Sequence, residues 1–285
     1  MKRIAVKIGS NVLTRKDGTL DITRMSALTD QVAELHKRGI QVILISSGAV
    51  ASGRSEMKAS HRLDEVSSRQ LYSAIGQAKL MGKYYTLFRE HGIICGQVLT
   101  TKEGLDKADH YQNQQHCMEV MLGEGVIPII NENDTLSITE LMFTDNDELS
   151  GLMAEMMKVD MLIILSNIDG IYDGTPSNPE SQVIRTLSPI GNDDLSQYIQ
   201  TEKSSLGRGG MLTKCHIARR VASIGIPVVI ANGKSEDILL RLIDQPDETV
   251  CIFMTKSQQK QKTLLKLATI FKTNLVCQSL TNVSA

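Results

Sequence analysis

MLIIL, residues 161–165, and VILIS, residues 42–46, are short and almost entirely apolar runs. Strands without polar alternation are typical of parallel sheets that are covered on both faces. Further strand-like runs alternate with helical patterns along the chain, and this alternation predicts an α/β fold with a mainly parallel sheet. The predicted strands are 2–8, 41–47, 93–99, 126–130, 160–165, 226–231 and 249–253, and the predicted helices lie near 21–38, 64–90, 107–123, 146–158, 210–224 and 235–243.

Composition narrows the class of protein. The chain has 285 residues, of which 41% are apolar and 22% charged, enough for one large or two modest domains with an ordinary core. A net charge of −1, few aromatic residues and no Trp argue against a nucleic-acid partner.

No apolar run is long enough to cross a membrane, and Lys7 interrupts the only stretch that resembles a secretory signal. Five scattered cysteines without a C-x-x-C pattern indicate structural thiols and a cytoplasmic location. His110 and His116 are six positions apart on a predicted helix, a poor spacing for a shared metal, and we predict no metal site.

The last part of the chain differs in charge from the rest. Residues 254–285 contain five lysines and no acidic residue. Apolar residues within this tail recur at helical spacing, which predicts an amphipathic basic helix. Docking of that helix on the main domain and contact with a partner are both open interpretations. We therefore expect a main domain over 1–254 and a basic tail over 255–285.

Polar and glycine residues follow several predicted strands at the point where each strand ends. In parallel α/β sheets, ligands bind beyond these carboxyl ends, so four such turns predict one shared cleft. The turns contain Lys7, Gly9, Ser10, Ser47, Gly48, Asn131, Asp134, Ser166 and Asn167.

Glycine-rich turns before helices are suited to phosphate because bare backbone N–H groups approach its oxygens closely. Gly9-Ser10, Ser47-Gly48 and the segment 207–214 have this form, although each could be only a tight turn. Lys7 ends an apolar strand and Lys214 lies in the first turn of a helix, positions where a bound anion would explain an ammonium group. Neither G-x-x-x-x-G-K-[ST] nor a G-x-G-x-x-G opening a helix after the first strand occurs, so a nucleotide would need another type of site.

The stretch INENDTLSITELMFTDND, residues 130–147, contains two Asn-Asp pairs around a run of alternating polarity. The run at 135–143 predicts a small hairpin that projects from the sheet. A solvated turn and a binding site for a small polar molecule are the two interpretations of this stretch.

Five segments resemble the amino acid kinase family: VKIGSNVLT (6–14), ISSGAVASG (45–53), IINENDTLS (129–137), FTDNDELSGLMA (143–154) and GRGGMLTKCHIA (207–218). NEND followed by DND is typical of the branch that phosphorylates L-glutamate. The resemblance implies a three-layer αβα sandwich and transfer of the γ-phosphoryl group of ATP to the γ-carboxylate of L-glutamate, the first step of proline biosynthesis. It also implies Mg²⁺ carried with the nucleotide. No catalytic base is required, since a carboxylate is already ionised at neutral pH.

The resemblance assigns roles to particular residues. By the family pattern, Lys7 and Lys214 contact the transferring phosphoryl group and Asp147 positions both lysines. Four residues match the glutamate site: Ser47, Asp134, Asn146 and Asn131. We expect Asp134 to offset the substrate ammonium, and the amides of Asn131 and Asn146 to donate to carboxylate oxygens. The ATP-binding positions are Lys7, Gly9, Ser10, Ser166, Asn167, Arg208, Gly209, Gly210, Met211, Leu212, Thr213 and Lys214.

The sequence also departs from the family pattern. Asn167 stands where many relatives have Asp, which removes a charge from the nucleotide site. We expect the protein to be a short form that lacks the RNA-binding-like PUA domain found in many relatives. The family further implies feedback inhibition by proline through the 135–147 hairpin, proximity to glutamyl phosphate reductase, and a homo-oligomer. Alternative functions are acetylglutamate or uridylate kinase activity, or a catalytically silent amino-acid sensor.

Overall fold

The fold is that of a computed structural model, which describes residues 1–136, 143, 145–174, 178–187, 210–245, 251–255 and 257. Strands and helices alternate along these residues. The strands are β1 (Arg3–Ile8), β2 (Gln41–Ser46), β3 (Cys95–Thr100), β4 (Ile127–Glu132), β5 (Met161–Ser166), β6 (Thr186–Leu187), β7 (Val228–Asn232) and β8 (Cys251–Phe253). The helices are α1 (Ser10–Leu13), α2 (Ile22–Lys37), α3 (Ala49–Glu56), α4 (Glu65–Glu90), α5 (Lys102–Asp106), α6 (Ala108–Gly123), α7 (Asn146–Met156), α8 (Met211–Ser223) and α9 (Ile238–Asp244).

The described strands form one sheet in the order β3-β4-β2-β1-β5-β7-β8-β6. Every neighbouring pair is parallel except β7 and β8. Strand β1 lies at the centre, between β2 and β5. The carboxyl ends of β1, β2, β4 and β5 therefore meet at one edge of the sheet, as the sequence predicts.

Helices cover both faces of this sheet and enclose two cores. One core joins Val6 and Leu44 to residues of α2, α4 and α9, and the other joins Ile45 and Ile164 to residues of α6, α7 and α8. The predicted three-layer αβα sandwich is confirmed. Side chains alternate between the faces of a strand, so Lys7 lies on the same face as Ala5, the face that α7 and α8 cover.

The sequence predicted the long elements and missed the short ones. All seven predicted strands and all six predicted helices are present, with ends displaced by a few residues. Three short helices, α1, α3 and α5, and the two-residue strand β6 were not predicted, because two to eight residues carry too little periodicity to be distinguished from a turn.

Two glycines let α3 and α4 cross in direct backbone contact. A Cβ atom on Gly76 would overlap the carbonyl oxygen of Ala49, and one on Gly53 would overlap that of Tyr72. No larger residue fits at this crossing, since the obstacle is backbone and not a flexible side chain. The crossing fixes α4 against the turn after β2, where Ser47 lies.

Two predicted features lie outside the described residues. The alternating run of the predicted hairpin falls largely on 137–142, and the basic helix of the tail falls within 258–285. Both stay predictions. Of the helices in the described ranges, none is both long enough and apolar enough to span a bilayer.

Candidate active site

Two lysines from distant parts of the chain share one buried aspartate. Lys7 Nζ lies 2.5 Å from Asp147 Oδ1, and Lys214 Nζ donates to Asp147 Oδ2 at 2.8 Å. Asp147 is fully buried, and the two lysines are 4% and 8% exposed. We call these three residues the lysine cluster. They carry a net charge of +1, and buried ammonium groups in this arrangement are suited to binding an anion such as phosphate.

Three elements bring the lysine cluster together. Lys7 is the fifth residue of β1, Asp147 is the second residue of α7, and Lys214 lies in the first turn of α8. The helices α7 and α8 pack against each other on the face of the sheet to which Lys7 points. The sequence-based expectation that Asp147 contacts both lysines agrees with this geometry.

Asp145 holds the start of α7 in place and was not predicted. Its Oδ1 atom accepts hydrogen bonds from the backbone N–H groups of Asp147, at 2.8 Å, and Glu148, at 3.1 Å. This is the usual role of an aspartate that precedes a helix. The same cap fixes the backbone of the residue on which both lysines converge.

The neighbouring carboxylates Asp145 and Asp147 have opposite pKa shifts. Burial, followed by the charge of Asp147, raises the pKa of Asp145 to about 6. Burial also acts to raise the pKa of Asp147, but the charges of Lys7 and Lys214 together outweigh it and lower that pKa to about 2. At neutral pH, Asp147 is therefore firmly ionised, while Asp145 is close to its titration range.

A second group of polar side chains begins at the residue next to Asp147. Asn146 Nδ2 donates to Asn131 Oδ1 at 3.0 Å, and Asn131 Nδ2 donates to Gln77 Oε1 at 2.9 Å. We call Gln77, Asn131 and Asn146 the amide row. Asn146 Nδ2 also lies 3.0 Å from Ser47 Oγ and 3.3 Å from the carbonyl oxygen of Ser46. The structure thus brings together three of the four residues predicted to bind the amino acid.

The hydrogen bonds do not favour the expected division of contacts with the substrate. The Asn146 amide nitrogen, which has two hydrogens, is already surrounded by three protein acceptors. The Asn131 nitrogen donates to Gln77. These amides therefore direct donors toward protein atoms, and the expectation that they donate to substrate carboxylate oxygens has no support in this arrangement.

Asp134, the fourth predicted residue, is paired with an arginine that the sequence did not reveal. Arg69 of α4 contacts Asp134 through Nε and Glu132 through Nη2, the latter at 2.6 Å. Glu132 Oε1 in turn accepts from the backbone N–H of Phe143 at 3.0 Å. We call Arg69, Glu132 and Asp134 the arginine cluster. Its formal charge is −1.

The predicted nucleotide-binding residues lie at three neighbouring positions along the sheet edge. Gly9 joins β1 to α1, Ser10 begins α1, Ser166 ends β5, and Asn167 is exposed just beyond it. A Cβ atom on Gly9 would lie 3.8 Å from Lys7 Nζ and 3.2 Å from the carbonyl oxygen of Leu165. The glycine therefore allows the end of β1 to pass close to the backbone of β5, beside the ammonium group of Lys7.

The start of α8 supplies the remaining nucleotide positions. Gly210 precedes the helix, and Met211, Leu212, Thr213 and Lys214 form its first turn. Arg208 and Gly209 lie outside the described residues. Among the described residues no hydrogen bond joins this turn to Ser166 or Asn167, so their common role in nucleotide binding stays a prediction. The described part of the chain also contains no cluster of three or more His, Cys, Asp or Glu side chains that could hold a metal.

Sequence reasoning missed Arg69, Gln77, Glu132 and Asp145. Glu132 and Asp145 lie inside two of the segments that resemble the family, 129–137 and 143–154. Asp145 directly precedes the predicted helix 146–158, and an aspartate at that position typically caps a helix, so the sequence did contain a signal for its role. Arg69 and Gln77 had no such signal, because both lie in a long helix whose partners are decided by packing.

Comparisons with known proteins agree with the fold and the motifs. A sequence model of the amino acid kinase family matches residues 2–232. The glutamate 5-kinase of Bacteroides thetaiotaomicron is 67% identical over 249 residues, which are 87% of this chain and 69% of that protein. The glutamate 5-kinase of Chlorobaculum tepidum is 44% identical and covers 94% of this chain and 73% of its own length. The glutamate 5-kinase of Symbiobacterium thermophilum is 42% identical and covers 85% of this chain and 92% of its own length.

Solved structures of low sequence similarity share the fold. The UMP kinase from Ureaplasma parvum has a TM-score of 0.59 at 15% identity, covering 89% of this chain and 99% of that one. The UMP kinase from Bacillus anthracis has a TM-score of 0.60 at 15% identity, covering 90% and 96%. At this identity the similarity speaks only for the architecture.

Proposed function

The chain belongs to the amino acid kinase family and, within it, to the glutamate 5-kinases, and we propose that it transfers the γ-phosphoryl group of ATP to the γ-carboxylate of L-glutamate. The products are L-glutamyl 5-phosphate and ADP, and the reaction is the first step of proline biosynthesis. One observation carries the assignment of the site: the adjacent residues Asn146 and Asp147 belong to different clusters. An amino acid held beside Asn146 therefore has its side chain close to the lysines.

The proposed reaction forms one bond and breaks one. An oxygen of the substrate γ-carboxylate attacks the γ-phosphorus, and the bond from that phosphorus to the bridging oxygen of the β-phosphate breaks. ADP leaves with the electron pair, and no proton moves, because the attacking carboxylate is already ionised. The main barrier is the approach of two anions, which cations must offset.

Lys7 and Lys214 are the groups that supply this positive charge. Their ammonium groups are held by one carboxylate, so they are oriented before the substrates arrive. Such preorganisation is the principal contribution that a protein makes to phosphoryl transfer. Mg²⁺ bound with the nucleotide would supply positive charge against its phosphates, in addition to that of Lys7 and Lys214.

The amino-acid end of the substrate is bound by the arginine cluster and Ser47. Asp134 and Glu132 both contact Arg69, and their carboxylate oxygens are the acceptors that we assign to the substrate ammonium. The Ser47 hydroxyl accepts a hydrogen bond from Asn146, and its own proton is directed to a substrate carboxylate oxygen.

Trapping of the acyl phosphate tests the proposal. Purified protein is incubated with Mg-ATP and hydroxylamine, and L-glutamate, N-acetyl-L-glutamate and L-aspartate are compared as acceptors. We expect hydroxamate only with L-glutamate. Product with N-acetyl-L-glutamate instead would indicate an acetylglutamate kinase, and UMP-dependent ADP release would indicate a uridylate kinase. Absence of turnover with intact glutamate binding would indicate an amino-acid sensor.

Proline inhibition is part of the proposal. Proline carries an ammonium and a carboxylate on one carbon, as glutamate does, and it would compete for the same groups beside Asn146 and Asp134. Addition of millimolar proline should raise the KM for glutamate and leave the KM for ATP unchanged. If glutamate turnover is insensitive to proline, this part of the proposal is rejected.

The remaining expectations follow from the proposed reaction and stay predictions. L-Glutamyl 5-phosphate is a reactive acyl phosphate, so a glutamyl phosphate reductase is the expected consumer of the product. ATP and glutamate are cytoplasmic metabolites, so the cytoplasm is the expected location. A homo-oligomer, and the division into a domain over 1–254 and a tail over 255–285, are likewise predictions.

A further inference from the structure

The amide row has a defined direction, which its hydrogen bonds reveal. An amide side chain has an oxygen that only accepts and a nitrogen that only donates, so the groups around it determine its orientation. Here the carbonyl oxygen of Ser46, which is an acceptor, lies 3.3 Å from one amide atom of Asn146. That atom must be the nitrogen, because two acceptors would repel each other.

The direction then follows from residue to residue. The Asn131 atom that faces the Asn146 nitrogen at 3.0 Å must be the oxygen, so the Asn131 nitrogen faces Gln77. The Gln77 atom that accepts from it at 2.9 Å must also be an oxygen. One backbone carbonyl therefore sets the orientation of three side chains that come from β4, α4 and α7.

This direction leaves one acceptor for a ligand. The Asn146 nitrogen is occupied by protein acceptors, and no side chain or backbone N–H in the described ranges donates to the Asn146 oxygen. Asn146 is only partly buried, whereas Asn131 is 4% exposed. The accessible end of the row is consequently a carbonyl oxygen, and a substrate ammonium is the group that it would bind.

Gln77 terminates the other end of the row and is 9% exposed. Its Nε2 atom is buried and has no hydrogen-bond partner among the described residues. A buried donor without a partner destabilises the folded state, so a glutamine here is poorly explained by stability alone. Its carbonyl oxygen, in contrast, satisfies the Asn131 nitrogen.

We propose that Gln77 is a positioning residue for recognition of the substrate amino group. It anchors Asn131, and through Asn131 it holds Asn146 with the carbonyl oxygen toward the ammonium of the amino acid. This assignment rests on the proposed binding of L-glutamate and extends it to a residue on α4. The pocket then presents acceptors, the Asn146 oxygen and the carboxylates of the arginine cluster, to a group with three N–H donors. A free amino acid satisfies these acceptors, and an N-acylated one with a single N–H does not.

Calorimetric titration of L-glutamate and glutarate tests the assignment. Glutarate has both carboxylates of glutamate but no ammonium. We expect Gln77→Met to weaken glutamate binding about 10-fold, the loss of one hydrogen bond to a charged group, and to change glutarate binding less than 2-fold. Equal weakening of both ligands, or of neither, would overturn the proposal.

Two further variants separate positioning from direct contact. In an Asn131→Ala background, Gln77→Met should change the glutamate Kd less than 2-fold, because the link to Asn146 is already broken. Gln77→Glu keeps an acceptor for Asn131 and should bind glutamate within about 3-fold of the wild type. A loss in the Gln77→Glu protein as large as that in Gln77→Met, or a full effect in the Asn131→Ala background, would show that Gln77 contacts the ligand directly and would reject the positioning role.

Gln31 provides the matched control. It is also a buried helical glutamine, 3% exposed, but both ends of its amide are hydrogen bonded, to Leu239 N–H and to the Ala27 carbonyl. Gln31→Met should lower the melting temperature and leave both Kd values unchanged. Turnover is measured separately: binding without hydroxamate formation rejects the proposed function, whereas an unaltered glutamate Kd in Gln77→Met rejects only the role of Gln77.

Discussion

The lysine cluster and the amide row meet at two consecutive residues, Asp147 and Asn146, and yet they are built on different principles. In the lysine cluster, two ammonium groups share one fully buried carboxylate. In the amide row, neutral groups are joined by hydrogen bonds of 2.9–3.0 Å. The lysine cluster provides positive charge, and the amide row provides amide groups of fixed orientation.

This difference teaches how each region should respond to substitution. Removing one partner of a buried ion pair leaves an uncompensated charge and typically costs about 3–5 kcal/mol. Removing one neutral hydrogen bond costs about 1 kcal/mol. Changes in the lysine cluster should therefore abolish the chemical step, whereas changes near the amide row should affect selection of the amino acid.

The largest effect is expected for Asp147→Asn. An amide cannot hold two ammonium groups, so Lys7 and Lys214 lose their common anchor. We expect kcat to fall by about 10³-fold with a smaller change in the KM for glutamate. Glu155→Gln, at an exposed position of the same helix, is the control. A kcat within 10-fold of the wild type would mean that Asp147 does not organise the lysines.

A smaller effect on a different parameter is expected for Asp134→Asn. Loss of the negative charge makes the arginine cluster neutral and removes its attraction for the substrate ammonium. The KM for glutamate should rise about 30-fold, with kcat and the KM for ATP nearly unchanged. Steady-state kinetics with each substrate varied in turn measures this, and Asp17→Asn on the surface is the control. An unchanged glutamate KM removes Asp134 from the substrate site.

The pH dependence should separate activity from stability. Protonation of Asp145, whose pKa is about 6, weakens the cap that holds Asp147, so kcat should fall about 10-fold between pH 7 and pH 5. The pKa of Asp145 is higher in the folded state than in the unfolded state, so the folded state takes up this proton first. The contribution of Asp145 alone therefore raises the free energy of unfolding as the pH falls from 6 to 4. Asp147, with its lowered pKa, contributes stability that is lost only as the pH falls from about 4 toward 2.

Rate measurements and urea unfolding at pH 7 and pH 5 test this separation. Asp145→Asn should have lower activity at pH 7 and no acid limb near pH 6. If the variant keeps the same limb as the wild type, the limb belongs to another group.

The smallest effect is expected away from both clusters, at Asn167. This exposed residue follows β5, and its amide both donates and accepts. Asn167→Asp leaves acceptors only, which favour the 6-amino group of adenine over the oxygen of guanine. The preference for ATP over GTP, measured as the ratio of kcat/KM values, should rise about 3-fold, with the KM for glutamate unchanged. No change in this ratio would place Asn167 outside the base site.

Much of the architecture could be predicted from the sequence because it depends on local patterns. Apolar runs such as 161–165 located the strands, and the turns that follow them located the cleft. Lys7 and Asp147 lie in the family motifs. Both could be identified because the sequence alone shows a charged residue within an apolar strand or at the start of a helix.

The rest could not be predicted because it depends on tertiary contacts. Arg69 and Gln77 are separated from Asp134 and Asn131 by more than 50 residues, and nothing in the pattern of α4 indicates which side chains face the cleft. The sequence also cannot show which end of each amide is the oxygen, since the carbonyl oxygen of Ser46 determines this orientation. The expected roles of Asn131 and Asn146 as donors to carboxylate depended on that missing information.

The backbone contact between α3 and α4 makes the arrangement of the amino-acid site depend on two residues that have no side chain. Gly53 and Gly76 each face a backbone carbonyl of the other helix at a distance that leaves no room for a methyl group. Arg69 and Gln77 belong to α4, and the turn that carries Ser47 leads into α3, so the two halves of the proposed glutamate site are joined through this crossing. Engineering of a different acceptor should therefore keep Gly53 and Gly76 unchanged and vary the side chains on either side of them.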